Sequence, residues 1–272
     1  IDIMKKRMTS LVLALAMCLS LCTTVFADPG ASVEEKRAYL LNTCNIPADF
    51  LDSATSDTIS SLYEDATKNY ITVSSYEVET KSMLQQEQEV SPLGNIPTKD
   101  MKLRTLVTKV FDRSNKFLRL AVYVNFEWLN KAPFWRLADD GITVNWNDDI
   151  LEYDGQSGFY FKLYYKADTS KDWIRYYSQY SPTKSVQGGL GVIFDLHNDY
   201  QTYLKGEMCI PLYTIEEDEY GSGKRTTINS NYAHTYVVPN ISLSLVATNP
   251  GIDFSTTLGR DFCSNSATVT LA

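Results

Sequence analysis

The feature that most constrains the fold is a strict two-residue alternation over residues 118–128. Every second residue there is apolar, and the intervening residues are mostly polar. Because a strand points successive side chains to opposite faces, this pattern predicts a β-strand with one buried face. Residues 101–111 form a second strand-like segment, and the polar stretch 112–116 between the two predicts a hairpin.

Further strand-like segments follow across the rest of the chain, at residues 142–146, 159–165, 173–177, 191–197, 203–212, 225–238, 241–247 and 267–271. Turn residues separate them, and no long helical pattern lies among them. Strands without crossover helices pair antiparallel. We therefore predict a mainly β protein built as an antiparallel β-sandwich, with a barrel as the alternative.

The chain before residue 100 follows a different pattern. Residues 32–68 contain a capping box at Ser32–Glu35, Pro47 at a helix start, and apolar residues at helical spacing. We predict a small helical region over residues 28–80, with a possible strand at 70–80. The aperiodic stretch 81–99 predicts a linker ahead of an antiparallel β domain at 100–272.

Residues 1–27 have the form of a secretory signal peptide. A basic Lys5-Lys6-Arg7 stretch precedes eleven apolar or small residues, and Val25-Phe26-Ala27 supplies a cleavage site. As a helix, the apolar run spans about 16 Å, too short for a hydrocarbon core of about 30 Å. We expect cleavage after Ala27 and a secreted, extracellular or cell-wall-associated protein. Residues 1–3 are interpreted as spurious upstream residues.

The net charge argues against two classes of partner. The 272 residues carry a formal charge of −8, and removal of the leader, with three basic residues and one acid, leaves 22 basic and 32 acidic residues. The resulting charge of −10 excludes unaided binding to nucleic acid. It also disfavours contact with an anionic bilayer, although specific patches could overcome the repulsion.

Three cysteines remain after cleavage, at Cys44, Cys209 and Cys263. The odd number excludes a dense disulfide framework. Two alternatives stay open: a bridge between Cys209 and Cys263, which both lie in strand-like segments, or three buried thiols.

Motifs of enzymes and metalloproteins are absent from the sequence. It contains two histidines and no Gly-x-Ser-x-Gly, His-Glu-x-x-His or Cys-x-x-Cys. Asp139-Asp140 and Asp148-Asp149 flank one predicted strand and would lie about 17 Å apart, too far for one calcium site or a glycosidase pair unless the loops fold back. The run 216–219 is typical of a solvated loop. We predict no catalytic residue, no metal site and no cofactor.

Aromatic residues are concentrated between residues 159 and 180, where nine occur in 22 positions. They lie on two predicted strands. Since Lys162 and Arg175 favour solvent, we expect their faces to point outward. That orientation would expose a candidate ligand-binding set, Tyr160, Tyr164, Trp173, Arg175 and Tyr177. This set is either a binding surface or ordinary cross-strand pairing in a solvated sheet.

Several short sequence motifs together resemble those of exported proteins of Gram-positive bacteria. They are Tyr123-x-Asn125-x-Glu127-Trp128-Leu129, Pro133-Phe134-Trp135-Arg136, Asp140, Ile142, Trp146, Gly188-Gly189-x-Gly191, Tyr232-x-His234 and the Ile-Pro-x-x-Phe-Leu of residues 46–51. The resemblance implies export and no particular activity, so it assigns no functional residue. Trp128, Trp135 and Trp146 are interpreted as core and corner residues rather than ligand contacts.

These observations favour a secreted, non-enzymatic binding protein. Its expected partner is an extracellular glycan, peptide or protein bound at the aromatic hairpin. One alternative is a membrane-acting toxin or bacteriocin-like factor, with the same aromatic residues at a bilayer interface. A second alternative is a hydrolase of cell-envelope polymers.

Overall fold

A computed structural model describes residues 30–78, 94–95, 101–130, 139–155, 158–169, 171–196, 203–216, 220–235, 244–248, 251–254 and 260–272. The predicted signal peptide, Trp135, His197 and residues 217–219 lie outside this part of the chain. So does most of the predicted linker, of which residues 94–95 form a short strand. The division into domains stays a prediction.

Three short helices open the described chain: α1 (Val33–Asn42), α2 (Ala48–Ser53) and α3 (Ser56–Lys68). The predicted capping box is confirmed, because the Glu35 N–H donates to Ser32 Oγ at 3.2 Å and the Ser32 N–H donates to Glu35 Oε2 at 2.7 Å. One face of α3 is buried, through Thr58, Ile59, Leu62, Tyr63 and Ala66. Among the described helices, none is long and apolar enough to cross a membrane.

A seven-stranded antiparallel sheet forms the middle of the molecule. Its order is β1-β3-β4-β11-β7-β8, and β6 also pairs with β11. The strands are β1 (Tyr70–Val78), β3 (Met101–Phe111), β4 (Phe117–Trp128), β6 (Leu151–Glu152), β7 (Tyr160–Lys166), β8 (Ile174–Gln179) and β11 (Tyr203–Thr214).

A six-stranded sheet of order β2-β15-β12-β5-β10-β9 packs against it. Its strands are β2 (Gly94–Asn95), β5 (Asp139–Asn145), β9 (Lys184–Val186), β10 (Gly189–Asp195), β12 (Lys224–Thr235) and β15 (Arg260–Leu271). A small hairpin joins β13 (Leu245–Thr248) to β14 (Gly251–Phe254). Both large sheets are open and almost wholly antiparallel, so the predicted β-sandwich is confirmed and the barrel alternative is wrong.

The face of the seven-stranded sheet that meets the six-stranded sheet is called the inner face. It carries the apolar set predicted from the alternation in β4, including Leu120, Val122, Val124 and Phe126. Gly206 on β11 allows close packing here, because a Cβ at that position would lie 2.2 Å from the Phe126 ring. Trp128 and Trp146 are buried in the same core, as predicted.

The opposite face is called the outer face, and the helices cover it. Leu106, Ala121 and Tyr123 of the sheet pack against Ile59 and Leu62 of α3. The molecule therefore has three layers, with helices on one sheet and that sheet on the other.

Cys209 belongs to the outer layer and Cys263 to the sandwich core. Because the seven-stranded sheet lies between them, no disulfide joins the two residues.

Candidate functional site

The predicted aromatic hairpin is formed by β7 and β8 and lies at one end of the seven-stranded sheet. β7 pairs with β11 on one side and with β8 on the other. A register shift interrupts the hairpin: Leu163 lies opposite Tyr177, and Tyr164 lies opposite Arg175. Tyr176 is the extra residue of this β-bulge.

The bulge separates two residues that were expected to share a face. Cross-strand partners lie on the same face, and Leu163 and Tyr164 are consecutive residues with opposite faces. Tyr177 therefore belongs to the inner side with Leu163, where its ring lies 6.4 Å from that of Phe161. Arg175 belongs to the outer side with Tyr164. The prediction that Arg175 and Tyr177 share one face is wrong, since the alternation does not reveal an inserted residue.

The expected exposure of Tyr160 and Tyr164 is also wrong. They retain 8% and 3% of their accessible surface, because α3 lies over them. The Tyr160 hydroxyl lies 3.0 Å from Thr58 Oγ1, and the Thr55 hydroxyl donates to Tyr164 Oη at 3.2 Å. Both tyrosines are therefore contacts between the helices and the sheet.

The physical reason lies in the two cations that were expected to face solvent. Lys162 Nζ donates to Asp57 Oδ2 at 3.1 Å, and the Arg175 guanidinium contacts the same oxygen. Asp57 stands in the first turn of α3, so the cations meet a helix instead of water. Burial alone would raise the pKa of Asp57, but the hydrogen bond from Lys162 and the charges of Lys162 and Arg175 outweigh it and hold that pKa below its usual value.

Trp173 lies between the buried and the exposed parts of the hairpin. Lys166 Nζ and Lys205 Nζ lie 4.4 Å and 4.6 Å from the centroid of its ring. The indole ring is therefore covered by lysine side chains of the protein itself. Trp173 is half-buried and thus serves the structure of the hairpin.

The solvent-facing part of the hairpin is the strand β8 and the residue that follows it. Ile174 is 52% exposed, Tyr177 39% and Tyr180 68%. The Arg175 side chain is 47% exposed beside its contact with Asp57. β8 is the last strand of the sheet, and no described strand pairs with the edge of β8 that points away from β7. Of the five predicted site residues, Arg175 and Tyr177 are thus exposed at a sheet edge.

A second group of polar residues was not predicted as a unit. His234 Nδ1 on β12 lies 2.9 and 3.1 Å from the carboxylate oxygens of Asp140 on β5, and Tyr232 Oη donates to the same carboxylate. Trp128 Nε1 donates to Tyr232 Oη at 3.2 Å. An imidazole oriented by a carboxylate is the geometry of many general bases. Here the pair is buried and joins adjacent strands in the sandwich interior.

The remaining chemical candidates do not converge into a site. Within the described residues, no three His, Cys, Asp or Glu side chains form a group that could hold a metal ion. Asp139-Asp140 begins β5, while Asp148-Asp149 follows its far end. Burial raises the pKa of the Cys209 thiol to about 12 and that of Cys44 to about 11, which disfavours a thiolate nucleophile.

No family model matches the chain, and no curated protein matches it. Solved structures with some similarity include the collagen-binding domain of a Staphylococcus aureus adhesin, at 12% identity over 54% of this chain and 86% of that one, with a TM-score of 0.28. The NetB toxin of Clostridium perfringens in its membrane-inserted form matches at 8% identity over 74% and 96%, with a TM-score of 0.29. Fap1 fimbriae of Streptococcus parasanguinis match at 7% identity over 72% and 94%, with a TM-score of 0.25. At these scores the similarities assign no function to the chain.

Proposed function

We propose that this protein is a secreted, non-enzymatic binding protein that captures an extended peptide segment of an extracellular partner along β8. One observation carries the proposal. β8 is the last strand of its sheet, and its side away from β7 has no pairing strand among the described residues. An edge strand of this kind offers N–H and C=O groups to an added strand.

The side chains of β8 support the same proposal. Edge strands are usually protected by charge or proline. β8 carries one charged residue, Arg175, which contacts Asp57, and Ile174 and Tyr177 are substantially exposed beside it. Tyr180 follows directly and is the most exposed of the three. Tyrosine and arginine are enriched among the residues that dominate binding energy, so Tyr177 and Arg175 are suited to grip a peptide's side chains. Export is supported by the leader sequence at residues 1–27.

The test uses a random-peptide phage library selected on the immobilised full chain. We expect extended peptides, and we expect Ile174→Ala combined with Tyr177→Ala to weaken a selected peptide by about 2 kcal/mol or more, roughly 30-fold. The same double variant should unfold within about 1 kcal/mol of the parent chain, because both side chains are partly solvated.

Tyr70→Ala is the matched control. Tyr70 is 56% exposed and lies on β1, the opposite edge strand of the same sheet. Its truncation should leave the affinity of the selected peptide unchanged. Peptides that bind all variants equally, or selective binding to a glycan array in place of peptides, would overturn the proposal.

A further inference from the structure

An amine, an amide and a carboxylate are enclosed together on the outer face, beneath the turn between α2 and α3. Glu207 on β11 lies directly opposite Asn125 on β4, and Lys205 stands two residues before Glu207 on the same face of β11. The exposures of Lys205, Asn125 and Glu207 are 2%, 1% and 2%. Fully buried lysine and glutamate residues are rare, which makes their joint burial with an amide a feature that calls for a chemical role.

The amine and the amide lie against the same two oxygens. The backbone carbonyl of Ser53 accepts from Lys205 Nζ at 2.7 Å and from Asn125 Nδ2 at 3.3 Å. Glu207 Oε1 lies 3.8 Å from Lys205 Nζ and accepts from Asn125 Nδ2 at 3.4 Å. The two nitrogen atoms are therefore neighbours, and one carboxylate oxygen faces both.

The surroundings hold the carboxylate still and exclude water. The Thr55 N–H donates to Glu207 Oε1 at 2.6 Å, and the Thr58 hydroxyl donates to Glu207 Oε2 at 2.7 Å. The ring of Trp173 covers Lys205 Nζ, as described above. Burial lowers the pKa of Lys205, which favours the neutral and nucleophilic amine.

The amide has one polar atom that the rest of the described structure does not use. Asn125 Oδ1 is buried and has no hydrogen-bond partner among the described residues, whereas Nδ2 has two acceptors. A buried amide oxygen without a partner is uncommon in native proteins. Oδ1 is bonded to Cγ, the carbon that an amine would attack. The atom without a partner is therefore part of the group that would react.

We propose that Lys205 and Asn125 become joined by an intramolecular isopeptide bond, with Glu207 as the proton carrier. Glu207 takes a proton from the Lys205 ammonium, and the free electron pair of Nζ attacks Cγ of Asn125. The Nζ–Cγ bond forms, and a second Nζ proton passes to Nδ2. The Cγ–Nδ2 bond then breaks and releases ammonia, which leaves as ammonium with the proton held by Glu207. The reaction needs no oxidant, reductant or added group.

The cross-link would tie β4 to β11, which are neighbouring strands at the centre of the seven-stranded sheet. It would close a covalent loop from residue 125 to residue 205, which restricts the unfolded chain. The site lies on the outer face beneath the helices, apart from the edge of β8, so either proposal can fail without the other.

Mass spectrometry of the purified full chain tests the cross-link. We expect an intact mass lower than that of the sequence by one ammonia, about 17 Da. Trypsin does not cleave after an acylated lysine, so we also expect one branched peptide that contains both residue 125 and residue 205. A chain of unmodified mass, or an ammonia loss that maps to other residues, would overturn the proposal.

Variants assign the roles within the group. Lys205→Arg and Glu207→Gln should retain the full mass. Glu127→Gln is the matched control, since Glu127 lies directly opposite Lys205 on the same face and contacts Arg104 instead of Asn125. It should keep the cross-link. A cross-link that persists in Glu207→Gln would refute the role of Glu207. If that variant does not fold, the mass and peptide map of the parent chain still decide whether the bond exists.

Discussion

The two faces of the seven-stranded sheet are stabilised by different kinds of contact. The inner face meets another sheet and is almost wholly apolar, with Phe126, Phe161 and Leu163 fully or nearly fully buried. The outer face meets helices and buries charged groups, including Lys205 and Glu207. Successive side chains of the same strands therefore contribute in turn to an apolar interface and to an interface that is both apolar and ionic.

The difference shows what each layer requires of its partner. Apolar burial is non-directional, so the inner face needs matching shape and area. The ionic contacts are directional and need an acid within reach of each cation. Asp49, Asp57 and Asp65 supply these acids from α2 and α3, eight residues apart. They face Arg104, the Lys162 and Arg175 pair, and Arg119 in turn.

The largest effect is expected from truncation on the inner face. Phe126 is fully buried, and its ring lies 4.6 Å from that of Tyr232 and 5.6 Å from that of Phe194. Phe126→Ala should lower the free energy of unfolding by about 3–5 kcal/mol in a urea titration. Leu118→Ala on the same strand is the control, because Leu118 is 39% exposed, and it should cost less than about 1 kcal/mol. Similar losses in the two variants would contradict the assignment of the inner face.

A smaller effect is expected from removal of one charge on the outer face. Arg119 Nη2 donates to both oxygens of Asp65, at 2.8 and 2.9 Å, and both side chains are 20% exposed. Asp65→Asn weakens these charged hydrogen bonds, so it should lower the free energy of unfolding by about 1.5–3 kcal/mol.

The matched control for Asp65→Asn is Asp52→Asn. Asp52 pairs with Arg37 at 3.1 Å, but its side chain is 77% exposed. Surface pairs of this kind contribute about 0–1 kcal/mol, so this variant should leave the free energy of unfolding almost unchanged. Equal losses for the two aspartates would show that burial on the outer face does not strengthen its ion pairs.

The sequence was sufficient for the inner face and insufficient for the outer one. The alternation along β4 marks the inner residues directly, and each predicted strand segment overlaps a described strand. Residues 236–238 and 241–243 of two predicted strands lie outside the described residues. The helices of residues 33–68 were also predictable from their capping and spacing. What the sequence did not reveal was that these helices lie on the outer face and hide Tyr160 and Tyr164.

Two physical causes explain that failure. A lysine or arginine on a strand indicates solvent only when no acid from another segment reaches it, and Asp57 reaches both Lys162 and Arg175. The bulge at Tyr176 is the second cause, because one inserted residue reverses the faces beyond it. The regular spacing of Asp49, Asp57 and Asp65 was a signal in the sequence that could have linked the helices to cationic strands.

The smallest expected effect concerns pH and separates the two faces without any truncation. The pKa values of Asp49 and Asp57 are lowered: burial would raise them, but hydrogen bonds and charges from Arg104 for Asp49, and from Lys162 and Arg175 for Asp57, prevail. A group with a lowered folded pKa stabilises the folded state above its ordinary value, about 4, and this contribution disappears as the pH falls through the lowered value. The inner face has no comparable dependence on these acids.

Hydrogen exchange at about pH 3, compared with about pH 6 after correction for intrinsic rates, should therefore rise in α2 and α3 before it rises in β4. Asp57→Asn should raise exchange in α3 already at the higher pH and reduce the further change on acidification, whereas Asp52→Asn should behave as the parent chain. Equal acid sensitivity of α3 and β4 would mean that the helices and the sheet unfold as one unit, and that the ionic contacts do not set the stability of the outer layer.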